Sequence, residues 1–119
     1  MLTVYSYPTC GTCRKAKKWL DEHNLKYKEI HIVEAPPTKA ELAEFHKKSG
    51  LPLRKFFNTS GQRYRQLGLK DKIKTANEDE LLNWLASDGK LIKRPIITDN
   101  EYVTVGFNEE MFHDVWGNK

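Results

Sequence analysis

The sequence has few cysteines and no long apolar run. Only two of its 119 residues are cysteine, which excludes the dense disulfide framework of a small secreted domain. No segment approaches the ~18 consecutive apolar residues of a membrane-spanning helix, and the first residues lack the apolar core of a signal peptide. We therefore expect a protein of the cytoplasm, where free thiols persist, with no membrane partner.

The chain also lacks a large excess of one charge. It has 20 basic and 16 acidic residues, which give a net charge of +4. The two signs alternate along most of the chain, as on solvated surfaces. No basic stripe with interleaved aromatic residues occurs, so nucleic acid is not the expected partner. The exception is a basic cluster directly after the cysteines, formed by Arg14, Lys15, Lys17 and Lys18. These residues are either ordinary helix surface or a means of attracting an anionic substrate.

The two cysteines form the segment Cys10-Gly-Thr-Cys13, between a predicted strand at 2–7 and a predicted helix at 12–23. This order is typical of a dithiol redox site. Cys10 would lie at the helix N-terminus, where free N–H groups and the helix dipole favour a thiolate. Cys13 would lie one turn further on, within reach of a mixed disulfide formed on Cys10. We predict that Cys10 is the nucleophile and Cys13 the resolving thiol.

Three other roles for the cysteines stay open at this point, namely a structural disulfide, half of a zinc site and inert packing. Zinc requires four ligands, but there is no second cysteine pair, and no two of the four histidines have the spacing of paired zinc ligands. We therefore expect no metal, and the spacing favours redox chemistry.

The remaining pattern predicts an α/β fold of two halves. A second strand at 27–33 completes a βαβ unit whose strands should be parallel. A helical block follows at approximately 38–89, with capping boxes predicted from Thr38 to Glu41 and from Asn77 to Glu80. Its leucine and aromatic stripes are typical of core packing rather than of a cofactor site.

The C-terminal part predicts a β-hairpin and a last helix. The pairs Leu91-Ile92 and Ile96-Ile97 flank Lys93-Arg94-Pro95, Asp99-Asn100 is a turn signal, and a strand at 102–105 follows. Asn108 would begin the helix. The βαβ and ββα halves together predict one thioredoxin-like domain over 1–119: a mixed four-stranded sheet with helices on both faces and a helical insert between the halves.

Three segments resemble the arsenate reductase (ArsC)/Spx family, and the resemblance runs nearly end to end: Tyr7–Lys17, Ile92–Ile97 and Val105–Glu109. The resemblance implies a thioredoxin-like fold with a helical insert. It also implies that Cys10 is the reactive cysteine, that Arg94 lies beside it, and that Pro95 is similar to the cis-proline opposite the active cysteine of thioredoxin folds. The neighbouring Thr9, Thr12 and Arg14, with Pro95, are the expected supporting residues.

One branch of this family, the glutaredoxin-coupled arsenate reductases, resembles the chain at Cys10 and Arg94. The resemblance implies glutathione, glutaredoxin or thioredoxin as the reductant rather than a bound cofactor. That branch carries two further arginines around the oxyanion, which we place near Asn58 and near Gly106-Phe107. Neither is arginine here, so we expect arsenate to be a poor substrate. An arginine of the insert could replace one of these two only if the insert folded differently from this prediction. The candidates are Arg54, Arg63 and Arg65.

The Spx branch contains regulators that bind the RNA polymerase α subunit, with the CxxC pair as a redox switch. A glycine that helps form that contact falls at Pro52 here. Three functions therefore stand: a small thiol reductase acting on a disulfide, a glutathione adduct or an oxyanion; a redox-switched partner of RNA polymerase; and a remnant whose cysteines matter little. For Arg94, an ion pair with Glu29 or Asp99 is the alternative to a role at the site.

Overall fold

The computed structural model describes residues 1–117, so the last two residues of the predicted 1–119 domain lie outside it. The strands and helices of the described part are β1 (Leu2–Ser6), α1 (Gly11–Glu22), β2 (Tyr27–His31), α2 (Lys39–Ser49), α3 (Gln62–Gln66), α4 (Leu69–Lys72), α5 (Glu78–Ser87), β3 (Ile96–Thr98), β4 (Val103–Val105) and α6 (Glu109–Trp116). Two 3₁₀ turns lie at Leu53–Phe56 and Gly89–Leu91. No helix among the described residues is long and apolar enough to cross a membrane.

The four strands form one mixed sheet in the order β2-β1-β3-β4. β1 and β2 are parallel, as a strand–helix–strand unit requires. β1 pairs with β3, and β3 with β4, in antiparallel register. The prediction of a mixed sheet built from a βαβ and a ββα half is confirmed.

Each face of the sheet carries its own core. Val4 and Tyr5 are adjacent in β1, and because side chains alternate along a strand they point to opposite faces. Val4 packs in a cluster with the buried sides of α1 and α6, which include Leu20 and Trp116. Tyr5 packs in a larger cluster with residues of the insert, such as Phe45 and Leu85. The insert is therefore one of the two helical layers of the domain.

Both predicted capping boxes of the insert form. The Thr38 hydroxyl accepts a hydrogen bond from the Glu41 N–H, and the Glu41 carboxylate accepts one from the Thr38 N–H; Asn77 and Glu80 repeat the pattern. The prediction missed α4, where the chain re-enters a helix after Gly68. Gly68 adopts a left-handed conformation (φ +63°), which reverses the chain direction at little cost only for glycine.

Two predicted strand boundaries are wrong. β2 ends at His31 because the His31 Nδ1 accepts hydrogen bonds from the Val33 and Glu34 N–H groups and closes a turn there. In the hairpin, Leu91 belongs to a 3₁₀ turn, and Ile92 forms an isolated bridge with Phe57 of the insert. Both residues are fully buried, so their apolar character reflects packing against the insert rather than pairing within the sheet.

Candidate active site

The turn after β1 places Cys10 at the start of α1. The Cys10 N–H donates to the Tyr7 carbonyl at 3.1 Å, which closes the turn. The Cys10 backbone is extended, and its carbonyl accepts the first helical hydrogen bond, from the Arg14 N–H at 3.2 Å. Cys10 is therefore the N-cap residue, a position usually held by Ser, Thr, Asp or Asn.

The Cys10 sulfur performs the capping that an oxygen performs elsewhere. The Cys13 N–H donates to the Cys10 Sγ at 3.2 Å. The first turn of α1 thus offers a donor to negative charge on this sulfur, in addition to the dipole of the helix. Cys10 is half-buried, and both cysteines are free thiols.

Cys13 lies behind Cys10 and is fully buried, with 0 % of its surface exposed. Burial, which disfavours a thiolate, is the largest cause that raises the pKa of the Cys13 thiol, to about 12. The hydrogen bond that this thiol makes to Cys10 is the next cause, and repulsion by charge on Cys10 adds to it. A hydrogen bond from the Tyr7 backbone and the positive charge of Arg94 lower the pKa. The two sulfurs are therefore unequal in exposure and directly linked.

Arg94 approaches the dithiol from the loop before β3. The Arg94–Pro95 peptide bond is cis, as the resemblance implies. The guanidinium stacks over the Tyr7 ring, with the Arg94 Cζ 4.7 Å from the ring centroid. Among the residues that the structure describes, its Nη1 is buried without a hydrogen-bond partner. Glu29, one of the two expected ion-pair partners, is bound by Lys17 instead, with the Lys17 Nζ 2.8 Å from a Glu29 carboxylate oxygen.

A cleft of about 210 Å³ opens next to Arg94. It is lined by residues of four segments: Tyr7, Asn58, Gly61, Gln62, Arg63, Lys90 and Arg94. Of the cleft residues, Arg94, Asn58 and Arg63 are candidates from the sequence, whereas Gln62 and Lys90 are not. No local signal marks these two residues, because only the fold of the insert brings them to Arg94.

Arg63 was expected at the site only if the insert folded differently from the prediction. The insert keeps its predicted helix and still places Arg63 on the cleft wall, where the Arg63 Nε lies 3.0 Å from an Asp88 carboxylate oxygen. This partner offsets the charge of Arg63. Near the other expected arginine position, Gly106 (φ +81°) lies under the side chain of Lys93, whose Cε would be 3.1 Å from a Cβ added there.

The predicted supporting residues are placed unequally. Pro95 is buried, whereas Thr9, Thr12 and Arg14 are exposed at the start of α1. The Arg14 side chain folds back along the helix, so that its Nη2 lies 3.9 Å from the position that a Cβ on Gly11 would take. Arg14 therefore adds positive charge at the start of α1, next to the cysteines.

No group of three or more His, Cys, Asp or Glu residues within 1–117 could hold a metal ion. The site instead combines two sulfurs, a backbone N–H, side-chain amides and the cationic groups of Arg94 and Lys90. Such an arrangement suits thiol chemistry with an anionic reactant.

Comparison with known proteins agrees with this geometry. The model of the ArsC family matches residues 5–115. The chain is 62% identical over 115 residues to a protein of Bacillus subtilis (strain 168) named uncharacterized protein YusI, which covers 97% of this chain and 98% of that one. It is 36% identical over 107 residues to the regulatory protein MgsR of the same strain, covering 90% of this chain and 83% of MgsR.

Among solved structures, a protein of Bacteroides fragilis described as related to the ArsC family is similar over 95% of both chains. It superposes with a TM-score of 0.93 at 45% sequence identity. The fold, the span of the family match and these relatives lead to one conclusion: the chain belongs to the ArsC family.

Proposed function

We propose that this protein is a thiol–disulfide oxidoreductase of the cytoplasm, in which Cys10 attacks a disulfide and Cys13 resolves the product. The observation that carries the proposal is the direct link between the two sulfurs. The Cys10 Sγ accepts from the Cys13 N–H at 3.2 Å, and interaction with Cys10 contributes to the raised pKa of the Cys13 thiol. A structural pair of thiols would have no need for one partly exposed member at a helix N-terminus.

The first step is attack by the Cys10 thiolate on one sulfur of the substrate disulfide. A bond forms between Cys10 and that sulfur, the substrate S–S bond breaks, and the other half leaves as a thiolate. Cys13 then gives up its proton to solvent and attacks the Cys10 sulfur. This gives a Cys10–Cys13 disulfide and releases the second half as a thiol. Two molecules of glutathione, or the dithiol of a glutaredoxin, then reduce the pair and become a disulfide themselves.

The electrostatics of Cys13 order these steps. Two of the three causes that raise its pKa, the hydrogen bond to Cys10 and the charge of Cys10, require a free Cys10 sulfur. Both weaken when Cys10 is bound in a mixed disulfide, whereas the charge of Arg94 continues to favour the Cys13 thiolate. Burial, the largest cause, acts throughout, and together with the two Cys10 causes it keeps Cys13 protonated before the substrate is attached. Attachment removes only the Cys10 part of the shift.

Trapping the intermediate tests the proposal. Cys13→Ser, incubated with glutathione disulfide, should accumulate one glutathione per chain on Cys10, observed by mass spectrometry and peptide mapping. Cys10→Ser should accumulate none on Cys13. The wild-type protein should reduce bis(2-hydroxyethyl) disulfide in the presence of glutathione, glutathione reductase and NADPH, faster than the same mixture without the protein. If the wild type shows no turnover and Cys13→Ser forms no adduct, the proposal is wrong.

A redox-switched regulator is the second candidate, because MgsR is named a regulatory protein and the chain resembles the Spx branch. In that case the Cys10–Cys13 disulfide would alter binding to the RNA polymerase α subunit rather than catalyse turnover. The discriminating measurement is binding of the purified C-terminal domain of that subunit to the reduced and the oxidised protein. Binding that depends on oxidation, without disulfide turnover, would support the regulator.

A further inference from the structure

We propose that the cleft next to Arg94 is a substrate subsite that selects disulfides bearing an organic carboxylate, and that Asn58 and Lys90 set this selectivity. The inference rests on the proposed function, because it names the substrate class for Cys10. The reacting sulfur would lie at Cys10, and the carboxylate on the same half of the substrate would extend into the cleft.

Arg94 has unused hydrogen-bonding capacity within the described part of the chain. Buried polar groups nearly always have partners, and each exception needs an explanation. The Arg94 Nη1 is buried and has none, although the guanidinium is fixed by stacking on Tyr7. Arg94 also lines the cleft. A carboxylate there would accept from the guanidinium nitrogens that reach the cleft and would offset the charge of this partly buried group.

The wall of the cleft presents hydrogen-bond donors and no acidic side chain. Asn58 accepts a hydrogen bond from the Ser60 hydroxyl through its Oδ1, at 3.3 Å, which leaves its Nδ2 as a donor. Lys90 is exposed and has no ion-pair partner among the described residues. None of the seven lining residues is acidic. The wall therefore offers donors and positive charge to an acceptor that carries negative charge.

The charge and the size of the cleft favour an organic carboxylate over a tetrahedral oxyanion. With Arg63 paired to Asp88, the fixed positive charge next to Asn58 comes from Arg94, with Lys90 at the rim. Such a set suits a single negative charge better than the two charges of an arsenate. The volume of about 210 Å³ far exceeds the ~10–15 Å³ that one water requires, so an organic chain has room.

Three substrates of matched size test the selectivity: the 2-pyridyl disulfides of 3-mercaptopropionate, 2-mercaptoethanol and cysteamine. They end in a carboxylate, a hydroxyl and an ammonium group. In each reaction the Cys10 thiolate bonds to the aliphatic sulfur, and pyridine-2-thione leaves and is followed by its absorbance. Each rate is divided by the rate of free N-acetylcysteine with the same compound, which removes intrinsic reactivity. The wild type should prefer the carboxylate over the ammonium compound by at least about tenfold.

Two variants locate the preference. Asn58→Asp keeps the acceptor for Ser60 and places a carboxylate where it can bind Arg94, so it should abolish the preference. Lys90→Glu should lower the preference by about threefold to tenfold, the range for an exposed charge whose sign is reversed. Lys70→Glu, an exposed position on α4 outside the cleft, makes the same change in net charge and should leave the preference unchanged.

The outcomes separate this inference from the proposed function. Equal normalised rates for all three compounds, with reaction still dependent on Cys10, would overturn the subsite while the oxidoreductase stands. A preference that survives both Asn58→Asp and Lys90→Glu would also overturn it, because the selectivity would then arise at the helix N-terminus. No Cys10-dependent reaction with any of the compounds would refute the proposed function itself.

Discussion

The buried thiol of Cys13 should make the fold sensitive to alkaline pH. The pKa of this thiol is raised from an ordinary value of 9.0 to about 12, by burial first and then by its hydrogen bond to Cys10. Because the folded state holds this proton more tightly than the unfolded chain, the stabilisation is fully present below about pH 9. It is lost as the pH rises from about 9 towards 12.

The magnitude follows from the shift. Each unit of pKa corresponds to about 1.4 kcal/mol, so the full effect is on the order of 4 kcal/mol. At about pH 10.5 the unfolded chain has lost most of its Cys13 protons and the folded chain few, so the free energy of unfolding should fall by about 2 kcal/mol relative to about pH 8.

The assay is urea unfolding of the reduced protein at these two pH values, with Cys13→Ala as the control. Tyrosine and lysine residues also titrate in this range, but they are present in both proteins and largely cancel in the comparison. The wild type should lose about 2 kcal/mol more than Cys13→Ala between the two conditions. An equal loss in both proteins would show that Cys13 is not protonated by its burial, and the proposed order of the catalytic steps would lose its basis.

Three further predictions concern the site. At about pH 7, iodoacetamide should label Cys10 well before Cys13, because burial and a thiolate fraction on the order of 10⁻⁵ protect Cys13; mass spectrometry showing Cys13 labelled first would reverse the two roles. Arg94→Met should slow the reaction of Cys10 with anionic iodoacetate about tenfold more than with neutral iodoacetamide, since one charge-assisted contact is removed; equal slowing would mean that Arg94 only shapes the site. The wild type should show weak arsenate-dependent NADPH oxidation in an assay coupled through glutathione, glutaredoxin and glutathione reductase. Asn58→Arg should recover little of this activity, because the position near Gly106 remains without an arginine. Turnover of the wild type on the order of 1–10 per second would refute this.

Much of the fold was predictable because its signals are local. The capping boxes at Thr38 and Asn77, the alternation of the strands and the two-cysteine turn each depend on residues close together in the chain. Such contacts form in the same way whatever the rest of the molecule does. One error came where a distant partner decides: Ile92 resembles a strand residue but bridges to Phe57 of the insert. The end of β2 and the start of α4 depend instead on a local side-chain cap at His31 and on the conformation of Gly68, which the hydrophobic pattern does not reveal.

The sequence by itself determined the order of the elements, the family, and the position of Cys10 at the start of α1. Only the tertiary structure decided the surroundings of these thiols. Cys13 becomes fully buried only in the folded chain, and the cleft joins Tyr7, Asn58, Lys90 and Arg94 from segments far apart in the chain. The physical reason is that desolvation and electrostatic attraction depend on distance in space, which the sequence encodes only through the whole fold.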